Sequence, residues 1–228
     1  MKLLDLSNLH PPPLNWLYKP WLERNALTVI VGAGGTGKSY AMLDAAIALA
    51  SGQSWLEMGG PGVPIRTLVV DEDGPEAELM RRIAHLCAGR DVEPASLADT
   101  LYVAPSSGLQ LNEAADYAIL RELITSRKIE YVIFDALIAL HGLDENKTSD
   151  MKLLMRGIIR RLMRETGVGV AALHHEARPA GQKGIAPRKG AMKGRGSVEI
   201  INAGDNQLHV EARDGISILA TSRNRLMA

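Results

Sequence analysis

Gly32-Ala33-Gly34-Gly35-Thr36-Gly37-Lys38-Ser39 has the residue types and spacing to hold a chain of phosphates. It matches G-x-x-x-x-G-K-S/T, the phosphate-binding P-loop. Glycines let the backbone wrap the phosphates with its N–H groups pointing inward. A helix opening near Gly37 adds the positive end of its dipole. Lys38 supplies a mobile charge for the β- and γ-phosphates, and the Ser39 hydroxyl suits Mg²⁺. With Tyr40 next in line, the run from Gly32 to Tyr40 is the expected nucleotide-binding segment.

Three further groups have matching chemistry. Asp71-Glu72-Asp73 follows an apolar run. Asp73 precedes Pro75 and Glu76, which predicts a helix cap. Glu72 has no such duty, and a carboxylate there can orient or deprotonate a water that attacks the γ-phosphate. Tyr131-Val132-Ile133-Phe134-Asp135 ends a second apolar run in an acid, so Asp135 is a candidate to hold Mg²⁺ directly or through water. His174 and His175 end a third run. Histidines there can hydrogen-bond structurally, or can sense the γ-phosphate and relay its loss to the next loop. No third ligand at helical or hairpin spacing supports a two-histidine metal site.

These groups need strands that end at one edge. Leu27–Val31, residues 65–70, 101–103, 131–135 and 168–173 are short and apolar on both faces, as buried parallel strands are. Helical patterns separate them. The first runs from the P-loop to Ser51-Gly52, and residues 53–64 read as a loop. The second carries Leu79, Ile83, Leu86 and Cys87 inward, making Cys87 a core thiol. A third extends from a cap at Asn112 to Arg127 with Ile119, Leu120, Leu123 and Ile124 inward. A fourth is capped by Thr148 or Ser149, carries Leu153, Leu154, Ile158, Leu162 and Met163 inward, and stops at Gly167. Alternation from Val198 and Ile200 through Leu208, Val210, Ile216 and Ile218 predicts an antiparallel meander. The expected fold is α/β: a mainly parallel sheet flanked by helices, with antiparallel strands at the C-terminus. Residues 1–26 are a lead-in, and residues 27–228 the ATPase domain. In the lead-in, Trp16, Leu17, Trp21 and Leu22 need burial, either on this core or on a neighbouring subunit.

With 228 residues and 46% hydrophobic content the chain can build a full core. Aromatics are only 4%, which argues against an extensive base-stacking surface. Formal net charge is zero, so nucleic-acid binding would need a local patch. Residues 176–196 supply one: Arg178, Lys183, Arg188, Lys189, Lys193 and Arg195 accompany a single acid, Glu176. Such a loop suits a sequence-independent, salt-sensitive grip on single-stranded DNA, or is simply solvated. A lone cysteine excludes an internal disulfide, and no apolar run has membrane-spanning length. A cytoplasmic location is expected, with no membrane partner.

Taken together, GAGGTGKSYAMLDAAIALA, LVVDEDGPEAELMRRI, YVIFDAL, AALHHEAR and RGSVEIINAGDNQ resemble a RecA-type ATPase. The likeness is to the small branch containing the plasmid RepA-type hexameric helicases, over residues 25–225. It implies ATP and Mg²⁺ as cofactors and a homo-oligomeric, hexameric ring acting on single-stranded DNA. It makes Glu72 the catalytic carboxylate with Asp73 as companion, and His174 and His175 the γ-phosphate pair. Residues 176–196 become the loop facing the ring channel, and Arg223 a finger completing the adjacent subunit's site. One position departs. RepA-type helicases carry an arginine about ten residues after Arg-Gly-Ser, where this chain has Asp205. Either Arg223 or Arg225 then replaces it, or the ring is a poor motor. A RecA-like switch acting on a protein partner is the alternative function; a small-molecule kinase would need a lid that the sequence lacks.

Overall fold

The computed structural model describes residue 10, residues 13–175 and residues 198–227. Strands that are apolar on both faces need cover on both faces, and helices supply it. The chain opens with a small antiparallel hairpin, β1 (Trp16–Tyr18) and β2 (Leu22–Glu23). Strands and helices then alternate: β3 (Leu27–Gly32), α1 (Lys38–Ser51), β4 (Thr67–Asp71), α2 (Glu76–Gly89), β5 (Leu101–Pro105), α3 (Ala114–Arg127) and β6 (Tyr131–Asp135). After β6, α4 (Thr148–Lys152) passes through a π-helical stretch, Leu153–Ile159, into α5 (Arg160–Thr166). β7 (Gly169–His175), α6 (Val198–Ala203), β8 (Asn206–Arg213) and β9 (Ile216–Asn224) complete the order.

The seven-stranded sheet has the order β5-β4-β6-β7-β3-β8-β9. All strands from β5 to β8 are parallel, and only β9 is antiparallel to its neighbour. The C-terminal ends of β3, β7, β6 and β4 therefore share one edge. On one face, α1 and α2 pack with Ile30, Val69, Ile133 and Leu173. On the other, α3, the α4–α5 run and α6 pack with Val29, Val70, Phe134 and Ala172.

Helix α1 is buried nearly all round because the N-terminal hairpin covers its outer side. Leu17, Tyr18 and Leu22 join the α1 core, which settles the destination of the lead-in in favour of this chain's own core. The Tyr18 hydroxyl donates to the Gln53 carbonyl at 2.9 Å, and the Trp55 indole donates to Asp44 at 3.1 Å. Arg90 grips the same Asp44 through two bonds, of 2.5 and 2.6 Å. Residues 53–64 lack regular structure as expected, yet Trp55 within them is 1% exposed.

Several local expectations are corrected. Asp73 does not cap α2: Pro75 holds that position, and the Asp73 amide donates to Asp71 Oδ1 at 3.0 Å. Asn112 does not cap α3 either; its Oδ1 accepts from the Gly142 amide at 2.9 Å. Thr148 and Ser149 lie inside α4, whose cap position is Lys147. Ile119 and Leu153 point outward, at 64% and 51% exposure. The π-helical stretch widens the turn at Leu153, which shifts the inward face on to Leu154 and Met155. Val198 and Ile200 belong to helix α6 rather than a strand. After α6 comes a two-stranded hairpin whose first strand pairs parallel with β3, so it is no antiparallel meander.

Asp205 has a structural duty. Its carboxylate makes two 2.7 Å bonds to the Arg160 guanidinium and accepts the Leu27 amide at 2.9 Å. Arg160 also donates to the Ala203 carbonyl at 2.7 Å. One acid thus ties the start of β3, the end of α6 and helix α5 together. The pair is largely shielded, at 25% and 23% side-chain exposure. Arg160→Ala should lower the unfolding free energy by about 2 kcal/mol, because it strands a partly buried carboxylate. Urea denaturation reads this as a lower midpoint at unchanged slope; a loss below roughly 0.5 kcal/mol would show the tie to be dispensable.

Candidate active site

The P-loop turns from β3 into α1 through Gly37, which sits at φ 87° and caps the helix. Two glycines are sterically required. A Cβ on Gly32 would strike the Val210 carbonyl of β8, and one on Gly37 would strike the Ser217 hydroxyl of β9. The β8–β9 hairpin thus packs directly against the loop. The Thr36 hydroxyl donates to the Ala33 carbonyl at 2.9 Å, fixing the curve. Lys38 is 4% exposed, and its ammonium donates to the Gly32 and Ala33 carbonyls, each at 2.8 Å. Gly34 and Gly35 are exposed at the loop crest, and Tyr40 lies just past the helix start at 45% exposure.

Parallel register carries the acids and a histidine to this loop. His175 pairs with Gly32 across β7 and β3. Asp135 ends β6, and Asp71 lies beside it in β4. Both acids are buried, at 4% and 5% exposure. The Asp135 carboxyl is pushed up to about 6, first by burial and then by Asp71 and Asp73, against lowering by the Ser39 hydroxyl bond and Lys38. Burial also raises Asp71, whereas amide bonds from Asp73 and Gly74 lower it. His175 Nε2 is 3.8 Å from Asp73 Oδ2. Burial and the Lys38 charge push His175 below its ordinary value, so its imidazole is neutral at pH 7.

Lys38, Ser39, Asp135, Asp73 and His175 therefore converge. Other expected site residues do not. His174 points to the opposite face of the sheet, where it is 2% exposed with Nδ1 3.7 Å from Glu145 Oε1. Strand alternation separates the two histidines, since Leu173 faces the α1 core and Ala172 the other. The Glu72 carboxylate turns to the loop after β5, where Oε1 accepts the Ser107 amide at 2.8 Å and Oε2 the Gly108 amide at 3.1 Å. The Ser107 hydroxyl also donates to Glu72 Oε1. Arg223 pairs with Gln207 near the start of β3, and donates to Asn202 at 3.0 Å. Six strand residues separate it from Ser217 beside the P-loop, roughly 20 Å. Lys183, Arg188, Lys189, Lys193 and Arg195 lie outside the described residues. Asp71 was missed as a site residue; its period-two relation to Val69, on the α1 face, was the available signal.

Beside Gly37 and Tyr40 opens a cleft of about 750 Å³, walled by Trp55, Leu56, His85 and Ser217. Its size and mixed lining suit a small organic ligand continuous with the phosphate loop. The donor set also fits a hard cation. Asp135 Oδ1 is buried without a hydrogen-bond partner, and the Ser39 hydroxyl lies against the same carboxylate. One carboxylate and one hydroxyl, with phosphates and water completing the shell, is the protein share that Mg²⁺ takes.

This geometry is that of a P-loop ATPase with a RecA-like fold. A profile of the AAA domain matches residues 2–181, and the chain belongs to that family. The solved ATPase domain of a helicase superposes with a TM-score of 0.62, at 15% identity, over 89% of this chain and 78% of that one. No curated protein matches the chain. Matching solved structures number 611 chains, so the fold by itself selects no substrate. Among the described residues no helix is long and apolar enough to cross a membrane.

The Asp135 shift has a measurable sign. Its folded-state value lies above the ordinary 3.8, so the native state binds that proton more tightly than the unfolded chain. The resulting stability is full below about pH 4 and is lost as pH rises through about 6. In EDTA, Asp135→Asn should be more stable than wild type at pH 8 by about 2 kcal/mol, with a smaller gain at pH 4. Urea melts at both pH values check this; equal gains would rule out the buried charge as the source.

Proposed function

We propose that this protein hydrolyses ATP with Mg²⁺ in a ring of identical copies, a hexamer, and couples hydrolysis to binding or movement on single-stranded DNA. The observation that carries the ATPase reading is the convergence of Lys38, Ser39, Asp135 and His175 at the start of α1. Support for the ring, the DNA and a place in replication of a mobile element is the sequence likeness to RepA-type helicases.

The N–H groups of residues 34–39 bind the phosphates, and Lys38 exchanges its P-loop carbonyls for phosphate oxygens. Ser39 and Asp135 would hold Mg²⁺, which neutralises charge on the β- and γ-phosphates. Neutral His175 donates to the γ-phosphate and, as the last residue of β7, passes its loss to the segment beyond. Glu72, with Asp73 beside it, orients and deprotonates the attacking water. The base and ribose occupy the cleft next to Tyr40. Arg223 reaches the adjacent subunit's nucleotide, in keeping with its distance from this chain's own P-loop. The basic segment 176–196 grips the DNA backbone.

A specific observation favours the alternative, a nucleotide-driven switch for a protein partner. Asp205, at the position where RepA-type helicases carry an arginine, is committed to Arg160 and the Leu27 amide. Phosphate release from ATP, with and without single-stranded DNA, separates the two. DNA should raise turnover, and Lys38→Ala should lower it roughly a hundredfold or more. Hydrolysis indifferent to DNA would select the switch. Replacing Lys183, Arg188, Lys189 and Lys193 by glutamine should weaken single-stranded DNA binding. It should also flatten the log–log salt dependence by as much as about 3, which titrations at several salt concentrations measure.

A further inference from the structure

Of the three acids in the turn after β4, Glu72 alone aims its carboxylate at the loop beyond β5. Three donors hold it there: the Ser107 amide, the Ser107 hydroxyl and the Gly108 amide. β5 is the edge strand, four strand positions from β3, or roughly 19 Å by interstrand spacing. The carboxylate is therefore held on the far side of β4 from Lys38 and His175. Asp71 and Asp73 meanwhile face the P-loop.

The holding loop is laced to the segment after the Asp135 strand. Gln110 Nε2 donates to the Ala139 carbonyl at 3.0 Å, and the Leu111 amide to the Leu140 carbonyl at 2.7 Å. Asn112 accepts from the Gly142 amide at 2.9 Å. A displacement of residues 139–142 is thereby transmitted to Ser107. The Glu72 backbone joins the same region, its amide donating to the Asp135 carbonyl at 2.6 Å.

We propose that Ser107 is a positioning residue that parks Glu72 away from the P-loop in the nucleotide-free chain, and that turnover begins when this latch lets go. The proposal rests on Glu72 being the carboxylate that acts on the attacking water. Once free, Glu72 takes a proton from water as the water oxygen bonds to the γ-phosphorus, and ADP leaves with the electron pair of the broken bond. Residues 139–142 are the lever through which a ligand bound at that sheet edge releases the acid.

The test is steady-state ATP hydrolysis by the full chain without DNA, for Ser107→Ala, Ser107→Thr, Glu72→Gln and the Ser107→Ala/Glu72→Gln double variant. Ser107→Ala should raise kcat roughly threefold to tenfold, the factor that one hydrogen bond supplies. KM should not change, Ser107→Thr should restore wild-type kcat, and the double variant should be as slow as Glu72→Gln. An unchanged or lower kcat in Ser107→Ala, or a gain that survives in the Glu72→Gln background, would overturn the latch. If Glu72→Gln alone leaves turnover intact, the reading of Glu72 as the base fails and takes the latch with it. Slow Glu72→Gln beside a neutral Ser107→Ala rejects the latch only. Hydrogen exchange gives an independent readout: the Ser107 and Gly108 amides should exchange faster when a non-hydrolysable ATP analogue and Mg²⁺ bind. Unchanged exchange there rejects the latch without reference to turnover.

Discussion

Two carboxylates, Asp71 and Asp135, lie side by side in adjacent parallel strands, and both are buried. Burial and mutual repulsion each disfavour their charged forms. Much of the site answers this cost. The Ser39 hydroxyl and Lys38 stabilise Asp135, while amides of the acidic turn stabilise Asp71. What compensation remains unmet is a cation's to supply, and the orphaned Asp135 oxygen marks where. The site is thus held in a state that binding relieves, which is how a loop and two strand ends become a nucleotide switch.

Such a concentration of charge is possible because the sheet is parallel and covered on both faces. Parallel strands deliver their C-terminal ends to one edge, and helices keep water from the strands behind it. The β8–β9 hairpin adds a second constraint. It packs so closely on Gly32 and Gly37 that neither tolerates a side chain, and it forms one wall of the cleft beside Tyr40. Asp205 secures that hairpin to β3 and α5 at the opposite end, through Arg160 and the Leu27 amide. A residue at the place of a helicase arginine is here a structural tie.

Legibility followed the range of the interactions. The P-loop was plain because its chemistry resides in eight consecutive residues. Strands ending in Asp135 and His175 were legible from apolar runs, whose length and β-branching reflect burial on both faces. Caps failed because Asp73 and Asn112, sound candidates by local spacing, found partners elsewhere: the Asp71 carboxylate and the Gly142 amide. Ile119 and Leu153 were misassigned because a helical period gives the apolar stripe only while the helix is regular and the neighbouring face is covered. Val198 and Ile200 alternate like a strand over too few residues to distinguish a strand from a short helix.

By itself the sequence determined the phosphate loop, the parallel α/β architecture and the identity of the acids and histidines at the strand ends. These are local or periodic properties, and each is written in contiguous residues. Tertiary structure alone decided which of those residues meet. Neighbouring residues on a strand point to opposite faces, so His175 reaches the P-loop while His174 packs against Glu145. The same alternation brings Asp71 to Asp135 and gives Glu72 to Ser107 and Gly108, residues more than thirty positions away in the chain. Contacts across such separations depend on strand order and register, which the sheet sets as a whole and no single segment encodes.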